Sequence, residues 1–235
     1  MAGQAPGRHH RTVRWSTLTS RLLVAAASAR AGLGHVLWPV RCVFCGQAQP
    51  YPVCRPCHAD LPWIQPRFEL QPFATAVAPL AYGFPVDAAI RRFKFHRRLF
   101  YAPAFASLLQ PAVGLLPGEI DAVLPVPLHW RRQALRGFNQ AAEIARPLCR
   151  QAGLPWLSGV ARSRNTPYQS GLSAGRRQRN LHNAFRVHGR IACRHVLVVD
   201  DVITTGATCR QVARVLLDAG VPAVSVLAIA RVAQA

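Results

Sequence analysis

Two adjacent aspartates follow an apolar run in the segment VLVVDDVITTGATC, which spans residues 196–209. The apolar run predicts a buried strand, and the pattern becomes helical from Gly206 onwards. Backbone N–H groups at the turn into that helix would bind an anion, and Gly206 would let the backbone approach a phosphate closely. Asp200 and Asp201 would accept hydrogen bonds from vicinal hydroxyls or face a magnesium ion.

These groups together suit a sugar phosphate, with its diol on the acids and its phosphate in the loop that follows. That loop consists of Thr204, Thr205, Gly206, Ala207 and Thr208. The alternative is an ordinary junction of strand, loop and helix with one capping acid. Such a junction needs neither both acids nor the complete Thr-Thr-Gly-Ala-Thr run, so the binding site is the favoured interpretation.

A first arginine-rich segment, LPVPLHWRRQALRGFNQ, covers residues 124–140. We expect Arg131, Arg132 and Arg136 to lie on a loop before a helix that begins near Asn139. Guanidinium groups bind pyrophosphate oxygens in a bidentate manner, so this loop is a candidate pyrophosphate site. A solvated basic face would explain the charges but not the RGFNQ sequence. The Val126–Pro127 bond is open between cis and trans.

A second arginine-rich segment, RSRNTPYQSGLSAGRRQRNLHNAF, covers residues 162–185. Its polar part, 162–183, is longer than a loop that only connects two elements of a compact domain would be. A basic loop of this kind could close over a diphosphate and exclude water, and we expect its closing, catalytic residues to be Arg176, Arg177 and Arg179. The alternative is a disordered surface loop.

Four of the seven cysteines form two CxxC pairs, Cys42 with Cys45 and Cys54 with Cys57. Four thiolates in a tetrahedron suit Zn²⁺, and a closed site of this kind has a structural role and no open position for catalysis. Redox-active dithiols are the alternative interpretation. His58 is a possible substitute ligand. Cys209 falls in the first turn of a predicted helix, where its pKa could fall, although a packing role is favoured.

The remaining pattern alternates strands with helices, which predicts an α/β fold with a parallel sheet. The expected strands are Ala74–Phe84, Ala122–Pro127, Trp156–Val160, Ala184–Val187, His195–Val202 and Val224–Ala230. The expected helices are Asp87–Gln110 (interrupted at Pro103), Phe138–Arg150 and Gly206–Ala219. The expected organisation is a basic N-terminal extension with a helix (1–35), the zinc module (36–66), a hood or linker segment (67–120) and the α/β domain (121–235).

The chain has 235 residues, of which 51% are hydrophobic, and a formal net charge of +20. A field this positive attracts polyanions such as nucleic acid and phosphorylated metabolites. All basic residues except Lys94 are arginine, which is also what coding bias would produce. The odd cysteine count suits a reducing compartment, so we expect a cytoplasmic protein. No apolar run is long enough to span a bilayer.

The 196–209 segment resembles the PRPP-binding motif of type I phosphoribosyltransferases. The ordered series CxxC…CxxC, FKFHRR, PVPLHWRRQALRGFNQ, RNTPYQSGLSAGRRQRNLHNAF, VVDDVITTGAT and AIAR is similar to the ComF family, over about residues 36–231. That resemblance implies a type I phosphoribosyltransferase-like sheet with an N-terminal zinc ribbon, a link to competence and DNA uptake, and a catalytic role for Lys94. It also implies Mg²⁺-dependent displacement of pyrophosphate from PRPP by an unknown acceptor.

Three functions stay open at this point. The first is phosphoribosyl transfer, and the second is a non-catalytic, PRPP-responsive protein that binds single-stranded DNA and works with competence machinery proteins. The third is salvage of imported nucleobase-like compounds. Aromatic residues beside basic ones would stack bases if exposed, or form core if buried. These residues are Phe93, Phe95, Phe100 and Tyr101.

Overall fold

The computed structural model describes residues 40–95, 98–117, 120–163 and 184–232. The predicted N-terminal extension, 1–35, lies outside them. The strands are β1 (Val40–Arg41), β2 (Ala48–Gln49), β3 (Arg67–Phe68), β4 (Thr75–Val77), β5 (Leu80–Ala81), β6 (Ala122–Pro125), β7 (Val160–Arg162), β8 (Phe185–Val187), β9 (His195–Ile203) and β10 (Ala223–Arg231). The helices are α1 (Arg55–Ala59), α2 (Val86–Phe95), α3 (Tyr101–Val113), α4 (Trp130–Arg136), α5 (Gln140–Ala152) and α6 (Ala207–Asp218).

A mostly parallel sheet forms the centre of the molecule, in the order β3-β4-β10-β9-β6. β10 pairs in parallel with β9, β4 and β5, and β6 pairs in parallel with β9. Only β3 is antiparallel, at the edge beside β4. The long strands β9 and β10 are apolar almost throughout because helices cover both faces of the sheet. The predicted parallel α/β sheet is confirmed.

The core lies on the two faces of this sheet. Helices α2, α3 and α5 pack on one face, where Ile90, Phe105 and Ile144 meet Leu197 of β9. Helix α6 packs on the opposite face, where its buried apolar residues meet Val198. Neighbouring residues of β9 therefore point into different halves of the core, as the two-residue period of a strand requires.

The cysteine segment forms a small module of β1, β2 and α1 that packs onto the main core. Val43 and Leu61 are buried in the same cluster as helix α3. The Tyr101 hydroxyl donates a hydrogen bond to the Val43 carbonyl oxygen over 3.4 Å. The module is thus held against α3 by apolar burial and by one buried hydrogen bond.

The structure corrects several local expectations. The helix expected over 87–110 is two helices, α2 and α3, and Pro103 lies in the first turn of α3, where proline is tolerated. The loop expected around Arg131 is helix α4. Strand β8 pairs with β7 in a separate two-stranded sheet. The Val126–Pro127 bond is not cis, whereas the bonds preceding Pro72 and Pro85 are.

Candidate functional site

The acid pair lies near the carboxyl end of β9, at the sheet edge where parallel α/β folds bind ligands. Asp201 is buried and Asp200 is partly exposed. The alternation of β9 directs the two side chains to opposite faces of the sheet, Asp200 towards α6 and Asp201 towards α2. The sequence pattern placed both acids together without revealing that they face different neighbours.

Asp201 forms an ion pair with the single lysine of the chain. The Lys94 Nζ atom lies 2.9 Å from Asp201 Oδ2, and both side chains are largely shielded from solvent. Lys94 belongs to the last turn of α2, and the residue before it, Phe93, is fully buried against Phe105 and Phe138. This anchoring explains how a residue from the 67–120 segment reaches the end of β9.

Asp200 is held by its own neighbours on the other face. Burial, together with the negative charge of Asp201, raises the pKa of Asp200 to about 7, against the opposing effect of Lys94. The Cys209 thiol donates a hydrogen bond to Asp200 Oδ2 over 3.4 Å, and the Asp201 N–H donates to Asp200 Oδ1 over 2.8 Å. These contacts fix the orientation of the carboxyl group.

The packing role favoured for Cys209 is confirmed, and the alternative of a lowered pKa is wrong. Its side chain is buried, and burial and the nearby Asp200 charge raise the pKa of its thiol well above the ordinary value. The favourable field of a helix N-terminus is therefore outweighed by desolvation and by a neighbouring carboxyl group. Cys209 packs in the core and supports Asp200, and it is not an activated thiol.

The 204–208 loop turns tightly between β9 and α6. Gly206 has a φ of +72° and is the N-cap residue of α6, where it offers no side chain of its own to cap the helix. The positive φ favours glycine at this position, and an added Cβ atom would lie 2.9 Å from Leu70 Cδ1, so the Leu70 side chain would have to move. The Thr205 hydroxyl accepts a hydrogen bond from the Ala207 N–H over 3.4 Å. Thr204 and Thr208 border the same turn.

Arg210 clamps this loop, a role that the sequence interpretation missed. Its Nη1 donates to the Thr205 carbonyl oxygen over 2.6 Å, and its Nε donates to the Gln71 carbonyl oxygen over 3.0 Å. The available signal was its position one helical turn after Gly206. Arg210 therefore ties the candidate phosphate loop to the segment that precedes β4.

The RGFNQ sequence has a structural explanation at every position. Arg136 donates to Gln140 Oε1 over 3.2 Å, and Gly137 ends α4 with a φ of +83°. Phe138 packs on Phe93, and Asn139 caps α5 while its Nδ2 donates to the Val126 carbonyl oxygen over 3.0 Å. The motif thus fixes the angle between α4 and α5 at the carboxyl end of β6.

Two further groups near this edge, His129 and Arg162, were not assigned from the sequence. Burial, reinforced by the positive charges of Arg162, Arg131 and Arg132, lowers the pKa of His129. Burial, together with Arg132, lowers the pKa of Arg162 to about 10, against the opposing effect of Asp200. Arg162 of β7 is thus coupled to Asp200, while the arginines of α4 act on His129 and Arg162.

The four cysteines form one cluster whose Sγ atoms all lie within 4.8 Å of one another. Cys45 Sγ lies 3.7 Å from Cys54 Sγ, which matches the edge of about 3.8 Å in a tetrahedron with zinc–sulfur bonds of about 2.3 Å. The Cys54 N–H points at Cys42 Sγ, and the Cys57 N–H at Cys54 Sγ, each over 3.5 Å. The donor set fits a structural Zn²⁺. His58 is outside the cluster and packs beside Trp63.

The electrostatics of the cluster agree with metal binding. Burial acts to raise the pKa of Cys42, but hydrogen bonds from backbone N–H groups outweigh it and lower the pKa to about 6. Burial and the neighbouring thiols raise the pKa of Cys57. One thiolate therefore forms readily and opposes ionisation of its neighbours, a repulsion that a bound cation removes.

Comparison with known proteins bears on this site. No family model matches the chain. The chain is 37% identical over 215 residues to DNA utilization protein YhgH of Escherichia coli K12, covering 85% of this chain and 92% of that protein. It is 37% identical over 162 residues to Competence protein F of Haemophilus influenzae (64% and 69% covered), and 27% identical over 191 residues to Competence protein ComFC of Bacillus subtilis (80% and 73% covered).

This chain belongs to the ComF family. The family assignment made from the ordered motifs is thereby confirmed, and its α/β sheet and four-cysteine module are both present.

The structure divides the aromatic residues of this ComF-family protein into two groups. Phe93 and Tyr101 are core, whereas Phe95 and Phe100 are exposed. The predicted closing residues Arg176, Arg177 and Arg179 lie outside the described residues. Among the described helices, none is both long and apolar enough to cross a membrane.

Proposed function

We propose that this ComF-family protein binds PRPP with Mg²⁺ and transfers its phosphoribosyl group to an acceptor. One observation carries the proposal. The acid pair, Lys94 and the tight 204–208 loop that contains Gly206 lie together at the carboxyl end of β9. Carboxylates suit both a ribose diol and Mg²⁺, and the N-terminus of α6, with its backbone N–H groups and helix dipole, suits a phosphate.

Each group has a distinct task in this proposal. Asp200 and Asp201 accept hydrogen bonds from the ribose hydroxyls, and the loop from Thr204 to Thr208 holds the 5′-phosphate. Arg131, Arg132 and Arg136 hold the pyrophosphate, with Arg176, Arg177 and Arg179 closing over it. When bound, Mg²⁺ supplies further positive charge to the diphosphate.

Lys94 is the residue that connects binding to chemistry. When the ribose diol donates hydrogen bonds to Asp201, the carboxylate interacts less strongly with the Lys94 ammonium group. The ammonium group can then turn towards the diphosphate. In the transfer, a nucleophile forms a bond to ribose C1 while the bond from C1 to the pyrophosphate oxygen breaks, and the bonding pair leaves with pyrophosphate. Charge stabilisation and positioning carry most of the rate in such a scheme.

Calorimetry with PRPP, with and without Mg²⁺, tests the binding site. The double change Asp200→Asn with Asp201→Asn should abolish PRPP binding because the diol loses its charged acceptors. Asp218→Asn, an exposed acid at the end of α6, is the matched control and should bind as the parent does. Unchanged affinity in the double variant would refute the site. Pyrophosphate release measured against a series of bases tests the transfer itself.

A second candidate function is binding of single-stranded DNA. The names of the relatives refer to DNA utilization and competence, and the net charge of +20 suits a polyanion. A cytoplasmic location fits both functions, since reducing conditions keep the four cysteine thiols of the cluster available to a metal.

A further inference from the structure

None of the residues of helix α4 is buried. The helix nevertheless carries two large apolar side chains, and Trp130 is 65% exposed and Leu135 78% exposed. Apolar groups presented in this way on a basic helix commonly mark an interaction surface. The neighbouring end of α2 and start of α3 add two more exposed rings, Phe95 at 64% and Phe100 at 54%.

Each of the three exposed rings has an arginine beside it. The Arg131 guanidinium carbon lies 5.2 Å from the centre of the Trp130 ring, and that of Arg136 lies 5.3 Å from the Phe95 ring. The Arg98 carbon lies 6.0 Å from the Phe100 ring. Each ring therefore has a cation beside its aromatic face, and we call this group of residues the aromatic–arginine ridge. Its members are Phe95, Arg98, Phe100, Trp130, Arg131 and Arg136.

Two of these rings are supported from beneath by buried residues. Phe100 stacks on the buried Tyr101 with ring centres 4.7 Å apart, and Trp130 lies 5.6 Å from the buried His129. Their orientations are therefore held by the core, so little conformational entropy would be lost when a ligand stacks on them.

The ridge borders the acid pair. Lys94 is paired with Asp201, and the next residue of α2, Phe95, belongs to the ridge. Adjacent residues of α2 therefore contact the acid pair and form part of the ridge. Arg136 contacts Phe95 on one side and Gln140 on the other. A chain lying on the ridge would therefore pass close to the candidate PRPP site.

We infer that the aromatic–arginine ridge binds single-stranded nucleic acid, with bases stacked on the rings and phosphates on the guanidinium groups. This inference rests on the second candidate function above and names its surface. Unpaired bases present free faces for stacking, which a duplex does not, and the regular pairing of ring with cation matches a strand in which base and phosphate alternate. The positive net charge favours this polyanion over an acidic peptide of lower charge density.

Fluorescence anisotropy with a labelled oligothymidylate of about 16 nucleotides tests the ridge at low salt. Trp130→Leu and Phe95→Leu keep an apolar side chain but remove the aromatic face. Each lost stacking contact should weaken binding roughly 5- to 150-fold, which corresponds to about 1–3 kcal/mol per base. Trp156→Leu is the matched control, since Trp156 is 42% exposed and has Arg146 5.7 Å from its ring on a different helix. It should bind as the parent does.

Three results would overturn the inference. They are negligible affinity of the parent for the oligonucleotide, an equal loss in the Trp156→Leu control, and tighter binding of a duplex of the same length. None of these results touches the PRPP proposal, because neither Trp130 nor Phe95 belongs to the proposed PRPP site. Phe100→Leu should also weaken oligonucleotide binding, and because its neighbouring Arg98 is outside the proposed PRPP site, PRPP calorimetry on this variant should remain unchanged, so the two proposals can fail separately.

Discussion

The Lys94 ammonium group lies 2.9 Å from the Asp201 carboxylate and joins the end of α2 to the end of β9. The pair is shielded from solvent on both sides, so its members depend on each other for charge compensation. It links a helix of the 67–120 segment, which also supplies strands β3, β4 and β5 of the central sheet, to the acid pair at the end of β9. The assembly of the candidate site therefore depends on how α2 packs as well as on β9.

Removal of Lys94 should destabilise the protein markedly. In Lys94→Met the Asp201 carboxylate remains buried without its cation, and the free energy of unfolding should fall by about 3 kcal/mol. Arg91→Gln is the control, since Arg91 forms an exposed ion pair with Asp87 on the same helix, worth less than about 0.5 kcal/mol. Urea unfolding of the three proteins measures the difference. Equal, small losses in both variants would contradict this account of Asp201.

The pH dependence of the unfolding free energy should reveal the titration of the Asp200 carboxyl group. Its pKa of about 7 in the folded state lies above that of a free aspartate, so the folded protein binds more protons than the unfolded chain between the two pKa values. Parent stability should therefore fall as pH rises through about 7, by roughly 1 kcal/mol from pH 6 to pH 8 relative to Asp200→Asn.

Asparagine suits this experiment because its Oδ1 can still accept the Asp201 N–H bond seen at Asp200. Asp218→Asn, at an exposed acid, should keep the parent's pH profile. Magnesium-free buffer is required, since a bound cation would favour the ionised carboxylate. Parallel profiles for the parent and Asp200→Asn would show that Asp200 does not titrate in this range.

Alanine substitutions at the two glycines that flank α6 distinguish the energetic cost of backbone strain from the cost of a close contact. Gly206→Ala places an alanine at a positive φ and also puts its Cβ atom 2.9 Å from Leu70. Gly220→Ala likewise places an alanine at a positive φ, but nothing lies within 4 Å of its Cβ atom. Gly220→Ala should cost about 1 kcal/mol of unfolding free energy, and Gly206→Ala clearly more. Only Gly206→Ala should also weaken PRPP binding in calorimetry. Identical losses would mean that Leu70 gives way freely.

The cysteine cluster should retain zinc through purification. Metal analysis should find about one zinc per chain, and Cys45→Ser should lower this content sharply because a closed site needs all four thiolates. Thermal unfolding of Cys45→Ser should begin at a lower temperature, since the module packs on α3. Cys193→Ser, outside the cluster, should keep its zinc. A fully folded parent without metal would contradict a structural role.

The local sequence pattern was sufficient to predict the elements that are specified by residues close together along the chain. The apolar runs of β9 and β10, the paired CxxC spacing and the helix after Gly206 all follow from periodicity and residue type. The break between α2 and α3 and the helical state of α4 did not follow. Helix α4 has no buried face, so no apolar periodicity predicted it, and its caps His129 and Gly137 depend on the surrounding backbone.

The sequence by itself determined the family, the parallel sheet, the four-cysteine cluster and the identity of the acid pair, because each is specified by residue types at fixed spacings. Only the tertiary structure decided which partners those residues meet. It placed Lys94 on Asp201, Cys209 on Asp200 and Arg136 on Phe95, and it raised the pKa of the Cys209 thiol that the helix position alone would have lowered. These contacts join segments distant along the chain, and both burial and Coulomb energy depend on distances in space that spacing along the sequence does not contain.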